Sequence, residues 1–180
     1  MDTERGKILL PIARAAISRA LNIPKAADET APWLAKHGAC FVTLTQHGEL
    51  RGCIGSLQAY RPLLDDIKSN AVSAALRDHR FTPLSTAELD ITVIEISLLS
   101  PTQAMTFQNE ADALAQLRPN VDGVVFECRN YRSTFLPQVW EQLPQPQEFM
   151  AHLKHKAGLP VDFWSPEVKL SRYTVEKWKE

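Results

Sequence analysis

ACFVTLTQHGELRGCIGSL, residues 39–57, carries the strongest β-sheet pattern in the chain. Two apolar, β-branched runs (39–45 and 50–57) flank QHGE, where Gly48 can take the positive φ that a tight hairpin turn requires. The spacing predicts an antiparallel pair closed across His47-Gly48. Aligned symmetrically about that turn, Val42 faces Cys53 and Cys40 faces Gly55, so both thiols lie diagonally on one face. A diagonal of roughly 7–8 Å is too long for the ~3.5–4.5 Å Cβ separation of a disulfide. Cys128 is the third cysteine, and an odd, widely spaced set predicts free thiols, with neither a disulfide framework nor a CxxC metal knuckle.

Upstream of the hairpin, Ile8, Ile12, Ala16, Ala20 and Leu21 recur at helical intervals and predict a helix over 4–22, with Asp2 and Thr3 as caps and Pro24 as its stop. Downstream, Pro62 suits a helix's first turn, and Leu63, Ile67, Ala71, Ala74 and Ala75 form its buried stripe up to Arg77. The loop RDHRFTP follows. Ser85 with Glu88 reads as a capping box, and ITVIEISLL (91–99) as a third strand joining the sheet. The second half predicts a helix near 110–117, strands over 121–129 and 133–136, a helix begun by Pro137, another from Pro146 to Ala157, and a closing strand over 168–175. Strands arriving in hairpins, without regularly alternating helices, indicate an α+β fold with antiparallel sheets flanked by helices rather than a doubly wound one. Both ends carry core elements, so truncation at either is expected to damage the core.

The chain has 180 residues with 20 Lys+Arg against 21 Asp+Glu, a formal net charge of −1, which argues against a basic nucleic-acid-binding protein. At 44% hydrophobic and 23% charged residues it has globular composition, and one domain accounts for its length. No apolar run approaches the roughly 18 residues of a membrane span, and the N-terminus lacks the core of a signal peptide. A cytoplasmic protein without membrane contact is expected.

LRGCIG (50–55) and ALRDHRFTPLSTAEL (75–89) resemble the AMMECR-type domain family, protein A of the AmmeMemoRadiSam system. The likeness continues through IEISLLSP (94–101), DGVVFE (122–127), TFLPQVW (134–140), LKHKAGLP (153–160) and LSRYTVEKW (170–178), in the same order over nearly the whole chain. The resemblance implies a single AMMECR-type domain over 1–180, with two lobes and a cleft lined by the RGCIG segment. It implies no established reaction. Memo-like and radical-SAM proteins are the partners implied by the system's name. One departure stands out: the family often has proline where this chain has His79, which argues against a family-wide catalytic role at that position.

Alternation along 50–57 puts Arg51, Cys53 and Gly55 on one face and Leu50, Gly52 and Ile54 on the other. A cation beside a thiol favours the nucleophilic thiolate, and Gly52 and Gly55 allow close approach of a ligand or of backbone. Cys53 is therefore the candidate nucleophile or redox thiol; the alternative is a small packed side chain sharing its face with Val42 and Leu44. Asp78 and Arg80 form either a substrate-orienting, anion-binding pair or a structural ion pair clamping their loop. Glu95, inside VIEIS, is either an acid–base carboxylate or one held by Arg51 or Arg80. Arg132 reads as a solvent-exposed turn residue. Glu148, His152 and His155 fall on the helix side opposite Phe149, Met150 and Leu153, which makes them solvent-facing rather than metal ligands. The four tryptophans read as core, and no GxSxG, HExxH, P-loop or GxGxxG segment is present. Two functions remain. One is a cysteine-dependent enzyme with Cys53 and Glu95 catalytic, and Arg51, Gly52, Gly55, Asp78 and Arg80 binding a small-molecule substrate. The other is a non-catalytic module binding a small molecule or a partner protein. Neither reading calls for a metal or cofactor.

Overall fold

The computed structural model describes residues Thr3–Glu180. In chain order its elements are α1 (Thr3–Ala20), β1 (Ala39–Gln46), β2 (Glu49–Gly55), α2 (Leu63–Leu76), β3 (Thr92–Leu99), β4 (Gln103–Ala104), α3 (Glu110–Gln116), β5 (Gly123–Cys128), β6 (Tyr131–Phe135), α4 (Pro146–Ala157), β7 (Lys169–Tyr173) and β8 (Val175–Lys179). Short 3-10 turns occupy Pro32–Ala35, Thr86–Ile91 and Pro137–Glu141. The α+β reading holds, with one sheet ordered β2-β1-β3-β8 and a second ordered β4-β7-β5-β6. Asp2, expected as a cap of α1, lies outside the described residues.

The chain divides into two compact units. The first comprises the residues up to Leu99 together with Glu176–Glu180. Its hairpin turns through His47 (φ 52°) and Gly48 (φ 81°), the pair of positive φ values that matches the twist of the flanking strands. β3 joins β1 on the side away from β2, as expected. One sheet face, carrying Cys40, Val42, Leu44, Ile94 and Ile96, packs against Leu9, Ile12, Ala13 and Ile17 of α1 and Ile67, Ala71 and Ala74 of α2. Packing is close enough that a Cβ on Gly52 would lie 2.1 Å from the Ala74 carbonyl oxygen. Pro62 stands immediately before α2 rather than within its first turn.

The hairpin register differs from the symmetric alignment. Thr45 faces Leu50, but Leu44 faces Gly52, Thr43 faces Cys53 and Val42 faces Ile54, because the register shifts between Leu44 and Thr45. Arg51 is the additional residue on β2, a β-bulge. A one-residue shift sends every later side chain to the opposite face. Cys53 is therefore not diagonal to Cys40. It stands on the face away from the helices with Thr43, whereas Cys40, Val42 and Leu44 are buried beneath it.

The second unit, Ser100–Val175, places Val124, Phe126, Cys128 and Leu170 against Phe149, Met150 and Leu153 of α4. Trp140 stacks on Phe149 with ring centroids 3.8 Å apart. Gly158 closes α4 at φ 94°. Glu148, His152 and His155 are exposed, as the wheel predicts. The expected closing strand over 168–175 is instead two strands. β7 pairs with β4 and β5 in the second sheet, and after Thr174 the chain enters the first sheet as β8.

Candidate functional site

β2 is an edge strand, so its outer backbone groups lack a ladder partner. The loop after α2 supplies one at Cys53. The Cys53 N–H donates to Asp78 Oδ2 at 3.0 Å, and Arg80 Nη2 donates to the Cys53 carbonyl at 3.4 Å. Asp78 and Arg80 are themselves joined through Nε to Oδ1 (3.0 Å) and Nη2 to Oδ2 (2.7 Å), and the Arg80 N–H also donates to Oδ1. One acceptor and one donor thus satisfy the backbone of Cys53 as a neighbouring strand would. The Arg80 guanidinium, with the Cys53 N–H adding to its effect, holds the Asp78 carboxyl well below the usual carboxylate range. Asp78 is buried, Arg80 is exposed and lies over the Phe81 ring, and His79 is exposed.

On the face away from the helices, Cys53, Thr43 and Glu95 stand directly across three adjacent strands. The Cys53 sulfur and Thr43 Oγ1 share a hydrogen bond of 3.2 Å. All three are half-buried. Glu95 is held by neither arginine expected for it: Arg51 Nη2 donates to Glu88 Oε2 at 2.9 Å, and Arg80 engages Asp78. Glu88 also accepts from the Ser85 N–H, closing the expected capping box. The bulge therefore draws Arg51 towards the Thr86–Ile91 turn, and Arg80 is the cation hydrogen-bonded at Cys53. Both glycines serve packing. Gly52 admits the α2 backbone, and Gly55 lies under Phe41, whose ring atoms would stand 2.2 Å from an added Cβ.

Thr43 did not emerge from the sequence, because symmetric pairing put Val42 opposite Cys53. No local signal in the sequence marks it, because the bulge at Arg51 that brings Thr43 opposite Cys53 is visible only in the paired strands. A second unanticipated feature lies on the opposite face. Asp66 is fully buried and accepts from the Cys40 N–H (2.9 Å), Ser56 Oγ (2.6 Å), Arg61 Nε (2.8 Å) and Asn70 Nδ2 (3.1 Å). Burial and this carboxylate push the Cys40 thiol above its ordinary value. Asp66 and Asn70 are four residues apart beside the Leu63–Ile67–Ala71 stripe, a spacing that places two polar groups at the helix–sheet boundary.

Cys40 and Cys128 are buried and Cys53 partly exposed; all three are free. Arg132 is exposed and pairs with Glu127 at 3.3 Å. Among the described residues, no group of three or more His, Cys, Asp or Glu is arranged to hold a metal ion, and no helix is long and apolar enough to cross a membrane.

A family model described as AMMECR1 matches residues 10–178. Protein MJ0810 of Methanocaldococcus jannaschii is 36% identical over 100% of this chain and 92% of its own length. A protein of Methanothermobacter thermautotrophicus is 34% identical over 100% of this chain and 96% of its own. A crystal structure of the uncharacterized protein PH0010 from Pyrococcus horikoshii superposes with a TM-score of 0.80 at 32% identity, covering 98% of this chain and 92% of that one.

Proposed function

The chain belongs to the AMMECR1 family, and from that premise we propose that it is a cytoplasmic, cysteine-dependent enzyme acting through Cys53. The observation that carries the reading is the placement of Cys53: a free, partly exposed thiol on the sheet face away from the helices, bonded to Thr43 and clamped through its backbone by Asp78 and Arg80. In this reading the Cys53 thiolate forms a bond to an electrophilic carbon of a small-molecule substrate, the electron pair of the carbon–heteroatom bond under attack passing to the heteroatom, and Thr43 fixes the orientation of the sulfur. Glu95 stands beyond Thr43, two strands from Cys53, so in this reading the thiol proton passes to its carboxylate and back through the Thr43 hydroxyl that lies between them. The exposed Arg80 head receives an anionic part of the substrate, with Arg51, Asp78, Gly52 and Gly55 shaping the strand that presents the thiol. Free cysteines in place of disulfides agree with a reducing compartment.

The experiment is alkylation of each cysteine in the native protein as a function of pH, resolved by peptide mass spectrometry. The reading expects Cys53 to label in the folded protein, ahead of Cys40 and Cys128, which should label only on unfolding. A Cys53 that stays unlabelled until unfolding overturns it.

A second reading, a non-catalytic module binding a small molecule or Memo-like and radical-SAM partner proteins, is favoured by one feature. Asp78 and Arg80 bond the backbone of Cys53, and the hydrogen-bond partner of its sulfur is a hydroxyl rather than a base. Loss of partner co-purification with Arg51→Glu but not with Cys53→Ala would select this reading.

A further inference from the structure

A groove of about 820 Å³ in the first unit lies apart from Cys53, bounded by α1, by Lys25 and by the last residues of the chain. Its α1 wall is a stripe at helical spacing that includes Gly6, Lys7, Leu10, Pro11 and Arg14. The opposite wall is made by four consecutive residues, Lys177, Trp178, Lys179 and Glu180. Successive strand side chains point to opposite faces, so the three of these within β8, Lys177, Trp178 and Lys179, border one cavity together along the strand's edge. β8 is that edge, being last in the sheet order. The Glu180 N–H bonds inward to the Ile94 carbonyl at 3.1 Å. Backbone groups alternate in direction along a strand, so those of Lys177 and Lys179 turn outward, into the groove. Pro11 has no N–H to give the Lys7 carbonyl, which leaves one more acceptor on the groove side of α1.

The groove is cationic above an apolar floor. Lys7 is tied to Glu4 and Arg14 to Glu180, the one carboxylate among the described lining residues. Lys25, Lys177 and Lys179 are exposed and have no carboxylate partner among the described residues. Leu10, Pro11 and the Trp178 ring, which packs on Gly6, form the floor. A second copy of the chain suits this edge poorly, because two β8 strands paired edge to edge bring lysines against lysines.

We propose that the outer edge of β8 receives an extended acidic peptide segment of a partner protein, added as a further strand, with acidic side chains opposite Lys177 and Lys179 and an apolar one between them over Trp178 and Leu10. Main-chain bonds to Lys177 and Lys179 supply the pairing, and the lysines select the charge. A bare lysine-bearing edge also discourages unselective strand addition, so the same residues exclude neutral segments.

The probe is a fluorescent peptide of about eight residues alternating glutamate and valine, a length that spans the edge. Its control has the same composition with the glutamates grouped at one end. Saturable binding of the alternating peptide alone is expected, together with slowed amide exchange at Lys177 and Lys179. The double change Lys177→Glu, Lys179→Glu should weaken binding at least about tenfold without shifting the melting temperature. Lys25→Glu, outside the strand, should weaken it in the same direction, and Cys53→Ala should leave it unchanged. Equal binding of both peptides, unaltered binding by the double variant, or unprotected amides would overturn the proposal. So would a concentration-dependent dimer abolished by the double variant, which would identify a second copy as the occupant.

Discussion

Cys53 and Cys40 lie on neighbouring strands, yet their sulfurs meet different surroundings, because one bulged residue, Arg51, separates the faces they occupy. Cys40 is enclosed by Asp66 and Asn70, whereas Cys53 meets a threonine hydroxyl and partial solvent. Asp78 gives a pH prediction at this scale. Its carboxyl titrates below its unfolded value in the native state, so its contribution is complete above an unfolded pKa of about 3.9 and is lost as pH falls through the native value. Because Arg80 is exposed and solvent screens the pair, the effect is modest. Asp78→Asn should lower the melting temperature at neutral pH, and the difference from the parent should shrink as pH drops below about 4. A difference that persists unchanged in acid would show that the carboxylate charge is not what Asp78 contributes.

At the scale of elements, α2 is fixed to the sheet by a contact without slack and by a buried carboxylate. Gly52→Ala drives a methyl into the Ala74 carbonyl, which as backbone cannot swing aside, and should cost about 1–3 kcal/mol in chemical denaturation. Asp66→Ala strands the Arg61 charge and the Cys40 N–H, and should cost about 3–5 kcal/mol. The α2 stripe and the Ser85–Glu88 box were legible in the sequence because each is set by spacing within one element. The bulge was not. Both registers bury apolar residues of β1, and the one adopted sets Gly52 against the Ala74 carbonyl and Arg51 against Glu88, contacts with residues distant in the sequence. The same shift replaced Val42 by Thr43 opposite the candidate nucleophile, so the site's membership was only partly readable.

Across the whole molecule, the first sheet is not complete when the chain leaves it at Leu99. Its last strand is supplied by residues of Glu176–Glu180, which follow in the chain a stretch that forms a unit of its own. Trp178 packs on Gly6 of α1, and Glu180 reaches Arg14 and the Ile94 N–H. Trp178→Ala should therefore destabilise the first unit by about 3–5 kcal/mol. Amide exchange in α1 and β3 should accelerate, while that in α4 and β5 changes little. Equal acceleration in both units would refute the assignment of β8 to the first.

The amino-acid sequence by itself determined the α+β class, the hairpin through His47-Gly48, the amphipathic helices, the free cysteines and the family. Each follows from local periodicity, turn chemistry or an ordered set of motifs. Only the tertiary structure decided which face Cys53 occupies, that Asp78 and Arg80 clamp its backbone, that Asp66 is buried, and that the tail divides between two sheets. Those outcomes depend on pairings between distant residues, where several alignments satisfy the same local pattern and the packed whole selects one.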